Sequence, residues 1–358
     1  MQPLLSMASI QVRGTPSELG EGQGRQLAGL VQRFVAQRLR AARVYLREHG
    51  CRDDQAFIAL GRGCLEMLAG FDPDSWTEHQ ALSAAAGVDA VELYTCANMT
   101  DIRDILVYGT GDPEGCSMVL LPGSSVASGE VIAAQTWDLN PSDLEFVVAV
   151  HRQPSLGPAT WSITCAGCPS LVGMNEQGVS VGTTNLKTRG ARVGIPYLSL
   201  LHRALRCRDR EEAGQVFSAS PRAAAHSFWA ADAHGAADWE CTATTAVRRD
   251  ARTPLVRTNH CLVAEHQRSE GEAPSSSSRA RLARLADWAE QGGRDVASLR
   301  ALFSSRADGV DSINRYPEDA QGTSTNACII CRPAARRIDA CRGSADRGAW
   351  VELGFTGR

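Results

Sequence analysis

The hydrophobic spacing of the chain changes once, near Gly115, and that change restricts the possible fold more than any other feature. Before it, apolar residues recur every three or four positions. Leu27, Leu30, Val31, Phe34, Val35 and Leu39 form one such stripe, with Arg33, Arg38, Arg40 and Arg43 mostly off it. This is the pattern of an amphipathic helix. Pro16-Ser17-Glu18 supplies a helix start, and two more helical segments are expected over residues 55–68 and about 88–98. After Gly115 the segments 117–121, 131–135, 146–150 and 161–164 are short and apolar or alternating. The turn residues Pro122-Gly123, Asn140-Pro141-Ser142 and Gly157-Pro158 separate them, which predicts an antiparallel meander. Helices at 195–204 and 210–217 follow, then strands around 227–231, 242–247 and 255–257. The run RSEGEAPSSSS, residues 268–278, reads as a surface loop. Its serines are placed to cap a basic helix over 279–291, whose arginines are expected on a solvated face. Alternating blocks of helices and strands with no fixed-period repeat predict an α+β layered domain.

Charge and length remove other classes. The 358 residues carry 37 basic and 40 acidic side chains, too even a balance to grip nucleic acid by bulk charge. A hydrophobic fraction of 43% is too high for a disordered chain, and the length allows two domains or one large one. Lys187 is the only lysine, so Schiff-base chemistry has one candidate. The N-terminus, MQPLLSMASIQVRGTPSELG, lacks a secretory pattern. No window approaches the roughly 18 apolar residues of a membrane span. A cytoplasmic protein with no membrane partner is expected, and its twelve cysteines should be thiols. Two CxxC pairs, Cys165/Cys168 and Cys328/Cys331, leave open a zinc- or thiol-dependent binding protein. That reading requires both pairs to converge on one tetrahedral metal. Strand alternation in Cys328-Ile329-Ile330-Cys331 would instead send its two thiols to opposite faces, which favours buried, inert cysteines and no metal.

The chemistry-bearing junction is Gly115-Cys116-Ser117. Alone it reads as a buried thiol at the start of a core strand. Three other pieces accompany it. Gln135-Thr136-Trp137-Asp138 closes the second strand of a hairpin that would begin at Cys116. The stretch from Met174 through Asn175 to Val181 is a turn and strand leading to Thr183-Thr184-Asn185. Arg257-Thr258-Asn259-His260-Cys261 ends another strand in a polar cluster. With Arg13-Gly14-Thr15-Pro16-Ser17-Glu18-Leu19-Gly20 and Gly24 ahead of them, and the strand 327–330 and Arg342-Gly343 behind, these pieces fall in a familiar order. The chain resembles the isopenicillin N acyltransferase family, the acyl-coenzyme A:6-aminopenicillanic acid acyltransferases. These are self-processing cysteine enzymes of the N-terminal nucleophile (Ntn) hydrolase superfamily.

The resemblance implies an αββα sandwich of two antiparallel sheets between helical layers. It implies autocleavage between Gly115 and Cys116 into an N-terminal helical segment, 1–115, and a catalytic segment, 116–358, that stay associated. Cys116 would be the nucleophile and, through its freed α-amine, the base. A reference pKa of about 7.7–8.0 suits that amine to neutral pH. Asn259 would be the oxyanion donor, Asp138 would orient the α-amine or the processing step, and Arg342 would match an arginine on the family's C-terminal strand. Ser117 and Trp137 would help bind substrate. Asn175, a further substrate-binding candidate, also suits support of a tight turn, and His260 would be a structural neighbour. The reaction implied is acyl transfer from an amide or thioester to an amine or to water, without a cofactor; a strict amidohydrolase is the alternative. Ser117 stands where the fungal enzyme has threonine, and the loop between Cys116 and Asp138 is longer, both of which bear on the substrate. An arginine-rich, lysine-poor composition suggests a GC-rich genome and a role in bacterial specialised metabolism, without implying penicillin.

Overall fold

The computed structural model describes residues 4–51, 53–107, 115–291, 294–319 and 322–355. Strand β1 (Ala8–Gly14) leads into helix α1 (Pro16–Glu48), which starts in a capping box between Thr15 and Glu18. The stripe residues Leu27, Val31, Phe34 and Val35 are buried, so the expected helix is present and runs 33 residues. Helices α2 (Asp54–Phe71), α3 (Pro73–Ala86), α4 (Ala90–Ala97) and α5 (Met99–Leu106) follow. Asp53, Asp72 and Asp89 cap the first three. α3 escaped the hydrophobic spacing because its buried face includes Ser75, Glu78, His79 and Ser83. A helix that packs through polar side chains leaves no apolar stripe to read.

The strand-rich part comprises β2 (Gly115–Leu121), β3 (Ile132–Leu139), β4 (Val147–Pro154), β5 (Thr160–Cys165), β6 (Val172–Asn175) and β7 (Ser180–Asn185). After α6 (Tyr197–Ala204) and α7 (Arg210–Ala219) come β8 (His226–Asp232), β9 (Gly235–Cys241), β10 (Ala246–Asp250) and β11 (Leu255–Arg257). Then α8 (Ala264–Gln267), α9 (Ser276–Glu290) and α10 (Val296–Phe303) precede β12 (Ser324–Arg332), β13 (Arg337–Arg342) and β14 (Val351–Gly354). The strands make two sheets. One has eight strands in the order β1-β4-β5-β6-β7-β8-β9-β10, the other six in the order β11-β2-β3-β12-β13-β14.

The β2–β3 hairpin forms as expected, but a single meander does not. After β3 the chain turns through Asn140 and the 3-10 segment Pro141–Phe146 and enters the other sheet as β4. There β1 lies parallel to β4, the one departure from antiparallel pairing among the named strands. The strand expected at 242–247 begins only at Ala246, as β10, while β8 pairs with β7 and β9.

Burial shows the layering. The inward residues Cys116, Met118, Leu120, Ala133, Trp137, Ile329 and Cys331 share a core with Val148, Val150, Ile163 and Trp229 of the opposing sheet. Val119, Leu121, Ala134, Cys328 and Ile330 face the other way, against Leu285 of α9 and Leu299, Leu302 and Phe303 of α10. On the far side, Leu200, Leu201, Ala213 and Phe217 of α6 and α7 cover Val181, Phe228 and Trp239. The result is the four-layer αββα arrangement. Cys328 and Cys331 point to opposite faces of β12, so this CxxC pair cannot grip one metal. Among the described residues no group of three His, Cys, Asp or Glu side chains is placed to hold a metal ion. Nor is any helix among them long and apolar enough to cross a membrane.

Candidate active site

Strand alternation sets Cys116 and Ser117 on opposite faces of β2, a strand buried along its whole length. Cys116 faces the inter-sheet core, and its register partner on β3 is Trp137. Gly115 pairs with Asp138. A Cβ at Gly115 would come within 2.5 Å of Asp138 Oδ2 and 2.8 Å of Arg315 Nη1. A side chain at 115 would therefore displace the Asp138 carboxylate and the Arg315 guanidinium, the two charged groups at this junction.

Asn259 holds the backbone of the candidate nucleophile. Its Oδ1 accepts from the Cys116 N–H at 2.7 Å and from Arg281 Nη2 at 3.0 Å, while its Nδ2 donates to the Asn185 carbonyl at 3.1 Å. Two donors on one side and an acceptor on the other fix which amide atom is oxygen. One N–H of the Asn259 amide is held by the Asn185 carbonyl, and its second N–H is the donor that the expected oxyanion role would use. Its Oδ1 anchors the nitrogen that cleavage would turn into an α-amine.

Arg281, on α9, is the residue the sequence reading missed most clearly. It was expected on a solvated face, yet it is fully buried. Its guanidinium donates to the Cys116 carbonyl, to Ser117 Oγ at 3.2 Å and to Ser277 Oγ at 3.3 Å. The serine run is equally misread as a surface loop. Ser275 does cap α9, but Ser277 and Ser278 turn inward. Ser278 Oγ accepts from the Asn259 N–H at 2.9 Å and contacts His260 Nδ1 at 2.8 Å, which leaves His260 as the structural neighbour it was expected to be. Arg315, also buried, lies with Nε 3.7 Å from Asp138 Oδ2 and donates to Thr323 at 2.8 Å.

These charges tune the sulfur. Burial and the Asp138 carboxylate push the Cys116 thiol up to about 12, opposed by Arg281 and by the backbone N–H groups of Asp138 and Asn185 beside it. Burial raises Asp138 despite Arg315 and Arg281. Burial and the neighbouring Arg315 charge pull Arg281 down to about 10. In the continuous chain the thiol is thus protonated; a free amine on the same residue would supply the base it lacks.

A cavity of about 30 Å³ opens at the sulfur, lined by Cys116, Gln135, Trp137, Asp138, Asn185 and His226 among others. Gln135 closes it by pinning the two sheets together. Its Nε2 donates to the Thr183 carbonyl at 2.7 Å, and its Oε1 accepts from Thr183 N–H at 3.1 Å and Trp229 Nε1 at 2.7 Å. Of the expected substrate-binding residues, Trp137 lines this cavity. Ser117 does not; its hydroxyl serves Arg281 on the other face. Asn175 does not either. Its Nδ2 donates to the Leu205 and Cys207 carbonyls at 3.0 and 2.8 Å. Its Oδ1 accepts from Gln177 and Val179 N–H at 3.0 and 2.9 Å, the turn-supporting role. Arg342 shares a cross-strand row with Cys116 through Trp137 and Ala327. Three strand spacings separate them, roughly 14 Å, and the guanidiniums at Cys116 are those of Arg281 and Arg315.

Solved structures that the chain matches include penicillin V acylase from Agrobacterium tumefaciens, with a TM-score of 0.46 at 15% identity over 67% of this chain and 86% of that one. An N-acylethanolamine-hydrolyzing acid amidase ortholog from Caenorhabditis elegans gives 0.45 at 15% identity over 67% and 100%. A mutant conjugated bile acid hydrolase from Clostridium perfringens gives 0.37 at 10% identity over 68% and 97%. No curated protein sequence matches the chain. The family model for acyl-coenzyme A:6-aminopenicillanic acid acyl-transferase matches residues 126–347, well over half of the 358 residues, beginning ten residues after Cys116. The chain belongs to the acyl-coenzyme A:6-aminopenicillanic acid acyl-transferase family, enzymes that act on carbon–nitrogen amide bonds.

Proposed function

We propose that this enzyme cuts its own chain before Cys116 and then transfers small acyl groups through a thioester on that residue. The observation that carries the reading is the grip on Cys116, with its N–H on Asn259, its carbonyl on Arg281 and its sulfur at a cavity. In the first reaction Sγ attacks the Gly115 carbonyl carbon, the C–N bond breaks as the proton moves to nitrogen, and water releases the thioester. The new α-amine then takes the thiol proton when a substrate amide or thioester arrives. The backbone N–H groups of Asn185 and Asp138, which help to hold the thiol's pKa down, and the second N–H of the Asn259 amide are the donors this reading assigns to a developing oxyanion. Asp138 and Arg315 hold the junction side of the site, and the segments 1–115 and 116–358 remain together as two chains. Acyl donors are small amides or thioesters, and the acceptor is an amine or water, in a reduced cytoplasmic setting that suits bacterial specialised metabolism. If water alone discharges the thioester, the enzyme is a strict amidohydrolase; product analysis with a competing amine separates the two.

Denaturing mass spectrometry tests the reading. Wild-type protein of 38.3 kDa should yield pieces of about 12 and 26 kDa, scaled by residue number. Cys116→Ala should stay whole and inactive. A wild type that stays whole under every condition while Cys116→Ala keeps full activity refutes it.

A further inference from the structure

A histidine backed by an aspartate stands in the wall of the same cavity, and no step above uses it. His226, the first residue of β8, sits across the ladder from Asn185 of β7 and lines the cavity with Cys116. Its Nε2 lies 2.6 Å from Asp101 Oδ1, and both residues are at most 2% exposed. Asp101 comes from α5, ahead of the cleavage junction. Its second oxygen accepts the Tyr197 N–H at 3.0 Å, and the Tyr197 ring stacks on the imidazole at 4.6 Å and 18°. The ring is thereby held in place, with the carboxylate on Nε2. The other nitrogen, Nδ1, is buried without a hydrogen-bond partner. A buried polar atom of this kind costs about 1–3 kcal/mol, so its persistence in a residue that shares a cavity with Cys116 calls for a use.

We propose that His226, oriented by Asp101, is the proton acceptor for the nucleophile that discharges the Cys116 acyl-enzyme, and the proton donor to the leaving amine in the reverse sense. The inference rests on the Cys116 thioester and divides the labour. The α-amine serves the thiol, and His226 serves the acceptor. A carboxylate on Nε2 fixes the tautomer with the proton there and leaves Nδ1 a lone pair, the arrangement a base requires. As the acceptor nitrogen or oxygen bonds to the thioester carbon, the C–S bond breaks with its electron pair passing to sulfur. The acceptor's proton moves to Nδ1 and is handed through the α-amine to the sulfur, so that thioester and amine become amide and thiol, and the reverse reaction carries the thiol proton along the same route to the leaving amine. The acceptor must therefore carry a transferable N–H or O–H, which selects water and primary or secondary amines. The cavity's volume of about 30 Å³ admits a molecule of water size between the wall and the sulfur.

The pair could instead be a staple between α5, α6 and β8, and the test must separate the two roles. His226→Gln places an amide where Nε2 stands and keeps the Asp101 bond but removes Nδ1. His226→Asn places its amide where Nδ1 stands and breaks the Asp101 bond. Processed protein is mixed with p-nitrophenyl esters of two- to eight-carbon acyl groups, whose leaving group needs no proton, and quenched for mass spectrometry. Both variants should acquire the acyl mass on the chain starting at Cys116 at the wild-type rate and lose it about 10²-fold more slowly. Discharge at the wild-type rate, or acylation slowed in the same proportion as discharge, overturns the proposal. A wild type that never takes up acyl mass on that chain overturns the Cys116 reading itself, and this one with it. Should His226→Gln not fold, His226→Asn and Asp101→Asn report the same ratio.

Discussion

At the scale of single residues, the site is defined by what touches the two ends of Cys116. If Asn259 works through Oδ1, as its bonds to Cys116 N–H and Arg281 show, Asn259→Asp keeps that acceptor and should process faster than Asn259→Ala. The alanine variant, with the nucleophile loosened, should lose about 10²-fold in processing rate. Equal rates for the two variants, followed by gel electrophoresis after a timed induction, would leave Asn259 only the oxyanion role. Gly115→Ala addresses the other side of the scissile bond. With Asp138 Oδ2 only 2.5 Å from the added Cβ, the Asp138 and Arg315 side chains must move away from the junction and self-cleavage should slow by about tenfold, while the melting temperature moves little. Cys116, Trp137 and Asp138 were legible in the sequence because short local motifs carry them. Arg281 and His226 were not. An arginine on a helix reads as solvated unless its partners are known, and here one partner, the Cys116 carbonyl, lies 165 positions away. His226 has no motif around it, and the aspartate that gives it meaning lies 125 positions upstream.

At the scale of elements, the N-terminal helices are tied to the sheet by buried polar groups as well as by apolar packing. Glu78 of α3 accepts from Arg152 Nε of β4 at 2.8 Å and meets His202 Nε2 of α6 at 3.2 Å. Arg152 also donates to Gln23 of α1 at 2.7 Å and Ser162 of β5 at 3.0 Å. Burial pushes the Glu78 carboxyl up, but Arg152 and His202 outweigh it and hold it well below the usual carboxylate range. A lowered carboxyl adds stability above its unfolded pKa, about 4.3, and that contribution is lost as the pH falls below it. Glu78→Gln should therefore cost about 3–5 kcal/mol at pH 7, as for a broken buried ion pair. The gap to wild type should narrow below about pH 4 in urea titrations across pH. The same polar contacts explain why α3 was invisible beforehand, whereas α1, with its apolar stripe, was read correctly in position if not in length. The crossing from β3 to β4 between sheets was equally hidden. A turn at Asn140-Pro141 has the same residues whether the next strand returns to its neighbour or leaves for another layer.

At the scale of the whole molecule, an α+β layered domain followed from the alternation of helical and strand patterns, while the αββα sandwich came from the family resemblance; the structure has both. The strand order did not follow, because pairing across sheets depends on contacts far apart in sequence. The described part of the N-terminal segment is tied into the rest at several places. Leu5 bridges to Gly348, β1 contributes seven residues to the ladder with β4, and Asp101 reaches His226. Cleavage before Cys116 should leave the two pieces co-eluting as one particle in native size-exclusion chromatography and separating only in denaturant. Elution of a free piece of about 12 kDa under native conditions would contradict that.

The parallel ladder between β1 and β4 also bears on how the protein can be assembled. Its edge strand comes from one side of the Gly115–Cys116 bond and its partner from the other, so if that bond is cut as proposed, the eight-stranded sheet is completed by a segment no longer covalently continuous with it. Residues 1–115 and 116–358 are in that sense natural halves for a complementation pair. Co-expressed as separate polypeptides, they would meet through seven backbone register positions, with the interface already specified and maturation bypassed.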